Sequence, residues 1–297
     1  MKRFAIIGVG GYVAPRHLRA IKDTGNILVA AMDTHDSVGI LDSFFPDANF
    51  FTEFERFERF LNKLKNEGRG IDYLVVCTPN YLHDSHVRFG LKLGADVICE
   101  KPLALNPHNV KAIRQIEGET QRQVFTILQL RLQPILVQLK ERLSHDEEVH
   151  QVRLNYITPR GKWYQYSWKG DKSKSGGLAT NIGIHLFDIL IWLFGNVRKI
   201  ALTQNEFNKM SGQFELDHAH VSWYLSIDVA DMPKGLRQRS YRALEIDGER
   251  ISLDHGFEDL HTQSYQQILA GKGFTSAETL QSIDVVSKLR EMSGKEE

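Results

Sequence analysis

Three groups of residues in this 297-residue chain are of types and spacings that can do chemistry. The first is Lys101, which follows the apolar run Val97-Ile98-Cys99 and Glu100 and directly precedes Pro102. Pro102 has no backbone N–H, so a strand through Val97–Cys99 must stop there. An open α/β sheet presents what stands at a strand's carboxyl end to its ligand crevice. The second is His185, four residues after Asn181 and behind the pair Gly176-Gly177. That spacing predicts one helix face for Asn181 and His185, continued three residues on by Asp188, and the bare glycines admit a ligand or a second backbone. Histidine titrates near neutrality with little tuning and suits acid–base work. The third is Gly8-Val9-Gly10-Gly11-Tyr12-Val13-Ala14, lying between the apolar run Phe4–Ile7 and a helix with His17, Leu18 and Ile21 on one side.

The elements that must position these groups follow in order. Strand, glycine turn and helix is the context of a dinucleotide fingerprint. Gly8 makes the tight turn, Gly10 lets backbone approach a pyrophosphate, and the helix N-terminus supplies N–H groups. The third small residue, Ala14, stands one place later than the usual spacing. A second strand, Ile27–Met32, ends at Asp33, where an acid about 20 residues on accepts ribose hydroxyls. An acid there repels a 2′-phosphate, so the expected cofactor is NAD rather than NADP. Phe54–Lys65 reads as an amphipathic helix, Tyr73–Cys77 as a buried strand leading into the loop Thr78–His83, Asn109–Ile116 as a helix and Val124–Leu128 as the last strand of this half. The alternation predicts a parallel, doubly wound sheet. His83 and His86 have no third ligand nearby, so no metal is expected.

Beyond Gln129 the pattern changes. A helix around Leu136–Leu143 precedes Gln151–Tyr156 and His218–Ile227, in which apolar and polar residues alternate. Tyr241–Ile246 and Glu249–Leu253 flank Asp247-Gly248, a two-residue hairpin signal. One-faced alternation predicts a large, mostly antiparallel sheet with a covered side and an open side, the latter suited to a homo-oligomer contact. Ile182–Gly195 reads as a buried helix too short to span a bilayer, and Thr279–Met292 as a final helix. The expected domains are 1–122, binding the dinucleotide, and 123–297, for substrate and oligomerisation. Net charge is zero and pI about 7.2, so no global field draws the chain to nucleic acid or to an anionic membrane. Cys77 and Cys99 sit in apolar strand-like runs without metal-ligand spacing, which fits a reducing, cytoplasmic setting.

Between Thr158 and Lys174 the chain interleaves Arg160, Lys162, Lys169, Lys172 and Lys174 with Trp163, Tyr164, Tyr166 and Trp168, opposed only by Asp171. Cations suit anionic groups, and aromatic faces suit a sugar or base ring. Arg160 is the choice for a carboxylate or phosphate because its planar fork binds bidentately. The loop stands just before the helix that carries His185. It is expected to cap the crevice, with Trp163 packing on nicotinamide or sugar.

Taken together, the N-terminal glycine fingerprint, Glu100-Lys101-Pro102, and Gly176-Gly177 followed by Asn181 and His185 resemble the Gfo/Idh/MocA family of sugar and polyol oxidoreductases over nearly the whole chain. The resemblance implies a Rossmann domain followed by an α/β domain, with Lys101 and His185 as the catalytic pair and Asn181 beside them, where many members carry Asp. It implies a cofactor site of Gly8, Gly10, Gly11, Tyr12, Val13, Asp33, Thr34, Gln129 and Trp163, with Glu100, Lys101 and the loop residues Thr78, Pro79, Asn80, Leu82 and His83 on the nicotinamide side. More narrowly, Asn155–Tyr164, Ser167–Asp171 and Asn181–His185 look like the branch that oxidises UDP-N-acetyl-glucosaminuronic acid at C3. That reaction leads to a diacetamido uronic acid of bacterial lipopolysaccharide O-antigen. The expected substrate-binding residues are then Lys101, Arg160, Tyr164, Trp168, Lys169, Asn181 and His185. An inositol- or glucose-type dehydrogenase and a non-catalytic, NAD-binding sugar sensor share the architecture and are the alternatives.

Overall fold

The computed structural model describes residues 1–146, 148–236, 239–251, 253 and 259–293. They fall into two compact units. The first comprises Met1–Ala104, His108–Gln129 and Asp259–Thr279, and the second Leu105–Pro107, Leu130–Glu258 and Leu280–Glu297.

The first unit is built on a six-stranded parallel sheet. In chain order it contains β1 (Arg3–Ile7), α1 (Ala14–Asp23), β2 (Ile27–Met32), α2 (Ile40–Phe44), β3 (Asn49–Phe51), α3 (Phe54–Asn66), β4 (Tyr73–Val76), α4 (His83–Leu93), β5 (Asp96–Cys99), α5 (Pro107–Thr120) and β6 (Val124–Thr126). The sheet order is β3-β2-β1-β4-β5-β6. Order reverses between β1 and β4, which is where a doubly wound sheet opens its crevice. Phe4, Ala5, Ile6 and Ile7 are wholly buried, as are Leu74, Val75, Val76, Val97, Ile98 and Cys99. Continuous apolar strands of this kind are what a sheet covered on both faces requires. In α1, Pro15 stands in the first turn and Lys22 in the last, both favourable places, while His17, Leu18 and Ile21 face inward.

The expected boundary at residue 122 falls inside this unit. β6 pairs with β5, Val97 opposite Val124, so the sheet continues past it. The unit also takes back a distant segment containing α10 (Leu260–Leu269). Thr126 N–H donates to the Phe274 carbonyl at 2.8 Å, and Tyr265 and Ile268 join the core of Phe4, Leu18 and Val75.

The second unit carries α6 (Pro134–Leu143), β7 (His150–Ile157), α7 (Trp163–Tyr166), α8 (Lys172–Ser175), α9 (Ile184–Phe194), β8 (Val197–Asn205), β9 (Lys209–Leu216), β10 (Ala219–Ser226), β11 (Tyr241–Ile246) and β12 (Glu249–Ile251). The last helix, α11 (Ser276–Ser293), enters it from Leu280 onward. Its sheet order is β12-β11-β7-β10-β9-β8. The sheet is antiparallel except where β10 runs parallel to β7, Val221 beside Val152. Asp247 and Gly248 both have positive φ (51° and 85°), the turn that matches strand twist in a two-residue hairpin. The expected strand Glu249–Leu253 is present as Glu249–Ile251, and Ser252 lies outside the described residues.

α9 covers one face of this sheet, with Phe187 packed edge-on to Phe214 and Trp223 at 5.0 and 5.1 Å. The alternate residues Gln151, Arg153, Gln213, His220 and Ser222 are exposed on the other. Lys172–Phe194 is apolar and long enough by length and composition to cross a bilayer, against the expectation for its core Ile182–Gly195. Because 72 % of its most apolar window is buried inside the protein, it reads as a core segment.

Candidate active site

In the first unit the glycine run does more than turn the chain. Gly8 has φ 88°, and a Cβ there would stand 2.7 Å from the backbone carbon of Cys77. Only glycine lets the β1 turn pass so close to the end of β4. Gly10 N–H donates to Asp33 Oδ2 at 2.9 Å, and His35 N–H donates to Oδ1 at 3.0 Å. Asp33 is thus fixed at the tip of β2, partly exposed, with a lone pair free on each oxygen to accept hydroxyls. Gly11 N–H closes the turn onto Gly8 O at 3.0 Å, and Val13 leads into α1. Tyr12 and Thr34 are exposed.

The loops after β4 and β5 are stapled by His83, whose Nδ1 lies 2.7 Å from Pro102 O and Nε2 2.8 Å from Thr78 O. Asn80 and Leu82 form a single 3-10 turn behind Pro79, with Asn80 buried. Lys101 is half-buried at the end of β5. Glu100, the residue before it, is buried. Its Oε1 accepts from Nε2 of His17 at 3.0 Å and from Nε2 of His261 at 3.2 Å. Burial alone would push this carboxyl up, but the two histidines hold it well below the usual carboxylate range. Gln129 closes the unit, its Oε1 buried without a hydrogen-bond partner among the described residues. A buried acceptor of this kind is costly until a donor reaches it.

In the second unit Asn181 and His185 do not sit on the simple four-residue stripe expected of them. Ala179–Gly183 is a π turn leading into α9, so an extra residue intervenes before the α-helical phase resumes. Asn181 Nδ2 donates to the Tyr164 hydroxyl at 2.8 Å. Asp188 points into the core instead, taking both an Nε and an Nη bond from Arg131 at 2.8 Å. That buried bidentate pair makes Asp188 the counter-ion of Arg131.

Tyr164 also lines a cavity of about 220 Å³, together with Lys169, Lys172, Gly176, Phe207 and Arg290. Lys169 lies 5.3 Å from the ring centroid of Trp163 and 5.6 Å from that of Trp168. Trp163 is exposed. Arg160 is exposed outside the cavity lining and acts on Tyr164 only through its charge. Lys169 and Tyr164 of the expected substrate residues therefore share one cavity within this unit. Phe207, on the turn between β8 and β9, and Arg290, near the end of α11, were not legible as site residues. Neither lies near a glycine turn or an aromatic cluster, and the one usable signal was a lone arginine in the last turn of the final helix.

Comparison with known proteins agrees with this geometry. A family model described as oxidoreductase family, NAD-binding Rossmann fold, matches residues 2–128, and the model of that family's C-terminal alpha/beta domain matches residues 140–291. The structure of the WlbA (WbpB) dehydrogenase from Thermus thermophilus in complex with NAD and alpha-ketoglutarate is 48 % identical. It superposes with a TM-score of 0.96, covering 98 % of this chain and 95 % of that one. The same enzyme in complex with NAD and UDP-GlcNAcA gives 47 % identity and a TM-score of 0.95 over the same shares. Oxidoreductase cns1 of Cordyceps militaris is 31 % identical over 127 residues, and the match spans 42 % of this chain but only 16 % of that protein. Strand order, glycine turn, both family models and near full-length likeness agree: the chain belongs to the Gfo/Idh/MocA oxidoreductase family, with an NAD-binding Rossmann fold as its first unit.

Proposed function

We propose that the protein oxidises the C3 hydroxyl of UDP-N-acetyl-glucosaminuronic acid to the 3-keto sugar, with NAD as the oxidant. The observation that carries the reading is the likeness to the Thermus thermophilus enzyme in complex with NAD and UDP-GlcNAcA, at 47 % identity over nearly all of both chains. The reaction would serve synthesis of a diacetamido uronic acid for lipopolysaccharide O-antigen, in the cytoplasm, by a homo-oligomer joined through the open face of the second sheet.

The first unit fits NAD on its own geometry. Gly8 and Gly10 let the turn close tightly against the Cys77 backbone and the Asp33 carboxylate, Asp33 keeps lone pairs for ribose hydroxyls, and Gln129 Oε1 has no donor among the described residues, which a carboxamide supplies. Bound there, NAD accepts the hydride from the carbinol carbon. The remaining work falls to this chain's side chains. One of Lys101 and His185 takes the hydroxyl proton and the other holds the oxygen in place. Asn181, locked to Tyr164, orients the sugar beside His185. Lys169, Lys172 and Arg290 around the cavity suit the diphosphate, and Arg160 suits the uronate carboxylate.

The test is kcat/KM for the uronate against UDP-N-acetylglucosamine. The expectation is strong preference for the acid, much of it lost in Arg160→Lys. Equal values, or better turnover of free inositol or glucose, would leave the family assignment and remove the substrate.

A further inference from the structure

We infer that Glu100 is a positioning residue for Lys101, held by a buried relay of His17, His261 and Tyr265, and not a ligand of the cofactor. The inference rests on the reading of Lys101 as a group that exchanges the substrate's hydroxyl proton.

A carboxylate inside a protein persists only if donors satisfy it. Glu100 is 8 % exposed, and two imidazole Nε2 atoms converge on its Oε1. The proton positions follow. An ionised carboxylate only accepts, so His17 Nε2 carries a hydrogen. In the neutral ring Nδ1 is then an acceptor, and Tyr265 OH, 2.9 Å away, donates to it. Burial lowers the pKa of His17 and raises that of Tyr265 well above its ordinary value, so both are neutral in this arrangement. The chain of bonds Tyr265 to His17 to Glu100 therefore holds one negative charge, with a donor matched to an acceptor at each step.

The other groups that face Glu100 do not discharge it. Cys77 at the end of β4 and Cys99 on β5 are pushed up by burial and stay as thiols. His83 on α4 is lowered by burial and is aimed at two carbonyls. Arg16 on α1 acts on His17. His17 Nε2, Glu100 Oε1 and His261 Nε2 all lie within 4.8 Å of one another, close enough to suggest a metal site. In the arrangement above, His17 Nε2 carries the hydrogen that the ionised Glu100 accepts, so that nitrogen offers no lone pair to a metal.

The consequence is for the next residue. Adjacent Cα atoms are about 3.8 Å apart, so a Glu100 side chain pinned by two buried donors also pins the backbone from which the half-buried Lys101 leaves, and its charge favours the protonated form of that lysine. His261 and Tyr265 come from the segment that returns to the first unit, so that segment would set both the place and the proton affinity of Lys101.

The experiment uses the full-length wild type with Glu100→Gln, Glu100→Asp and His261→Gln. Acylation of Lys101 by acetic anhydride, followed by peptide mass spectrometry across pH, reads its pKa without any substrate. Glu100→Gln should move that midpoint down by about one pH unit, with the acid limb of kcat/KM following if Lys101 is the base. Its NAD Kd should stay within about twofold. An unmoved midpoint, or NAD binding weakened about tenfold, overturns the inference. Should Glu100→Gln fail to fold, Glu100→Asp keeps the charge and shortens the reach. A kcat lower by about tenfold at unchanged NAD Kd supports the relay, and a kcat within about twofold of wild type overturns it. His261→Gln keeps a donor at the Nε2 position and should hold the Lys101 midpoint closer to that of wild type than Glu100→Gln does, and a midpoint shifted as far as in Glu100→Gln would overturn the relay. One tightly held metal ion per chain would also overturn the relay. Absent turnover of the sugar nucleotide in wild type would instead refute the functional reading and leave the acylation midpoint to judge Glu100.

Discussion

Asn181 donates to Tyr164 at 2.8 Å, tying the π turn before α9 to the short helix α7. Tyr164 is buried, and burial raises its pKa, so the phenol is neutral and can accept that bond while donating its own hydrogen. Tyr164→Phe leaves the amide without its acceptor, at a cost of about 0.5–1.5 kcal/mol in urea unfolding. In the proposed reaction, KM for the sugar nucleotide should rise while NAD affinity stays put. Asn181→Asp should be milder, because the phenol can reverse and donate to the carboxylate. A Tyr164→Phe enzyme with unchanged KM would separate this pair from substrate binding.

Asp33 joins the glycine turn to the cofactor. Asp33→Ser removes the acceptor of Gly10 N–H and the charge that repels a 2′-phosphate. A lost charged hydrogen bond of this kind is worth about 1.5–3 kcal/mol, so NAD Kd should rise roughly 10- to 150-fold and rejection of NADP should relax. Titration calorimetry with both cofactors checks it, and equal NAD affinity in the two proteins would count against the assignment.

Lys101→Met and His185→Asn should each remove most of kcat with little change in NAD affinity. If the two act as a unit, the double variant should be about as slow as the slower single one. A double variant slowed by the product of the single effects would mean that they work independently. Single-turnover absorbance of reduced cofactor separates these outcomes.

His86 gives a prediction about pH that needs no substrate. Burial, with a smaller contribution from charge on His83, lowers its pKa to about 4, while its Nδ1 meets Thr78 Oγ1 at 3.1 Å and its ring stacks on Phe54. Below the ordinary histidine value near 6.5 the unfolded chain binds a proton that the folded one refuses, so stability falls as pH drops from about 6.5 towards 4. Allowing for the ring's partial exposure, the loss is about 2 kcal/mol by pH 4.5. His86→Phe keeps the stacking and should flatten that part of the curve. An identical pH dependence in the variant would assign the acid lability elsewhere.

The first sheet was readable in the sequence because its strands are unbroken apolar runs. The two-residue turn was readable because Asp247-Gly248 must take positive φ. β3 was not: three partly exposed residues at a sheet edge carry no pattern of their own. Alternation in β7 and β10 showed strands with one covered face, but it is the same for parallel and antiparallel neighbours, so their parallel pairing was hidden. The π turn left no trace, since it changes which backbone groups bond without changing residue types. Gly8 was legible as a turn. Its second constraint, the approach of Cys77, depends on a contact across the sheet that no local pattern encodes. The relay at Glu100 was out of reach for the same reason, its partners lying 83 and 161 residues away.

That last separation has a consequence for how the protein is born. A ribosome adds about 5–20 residues per second, so the 161 residues between Glu100 and His261 take roughly ten to thirty seconds to appear. Until α10 emerges, the nascent first unit has its sheet but lacks Tyr265 and Ile268 from its core, and a carboxylate faces inward with one of its two imidazole donors still unmade. The unit that comes first in the gene is therefore finished among the last. A product cut at residue 128, where the first family model ends, would be a permanently unfinished version of it.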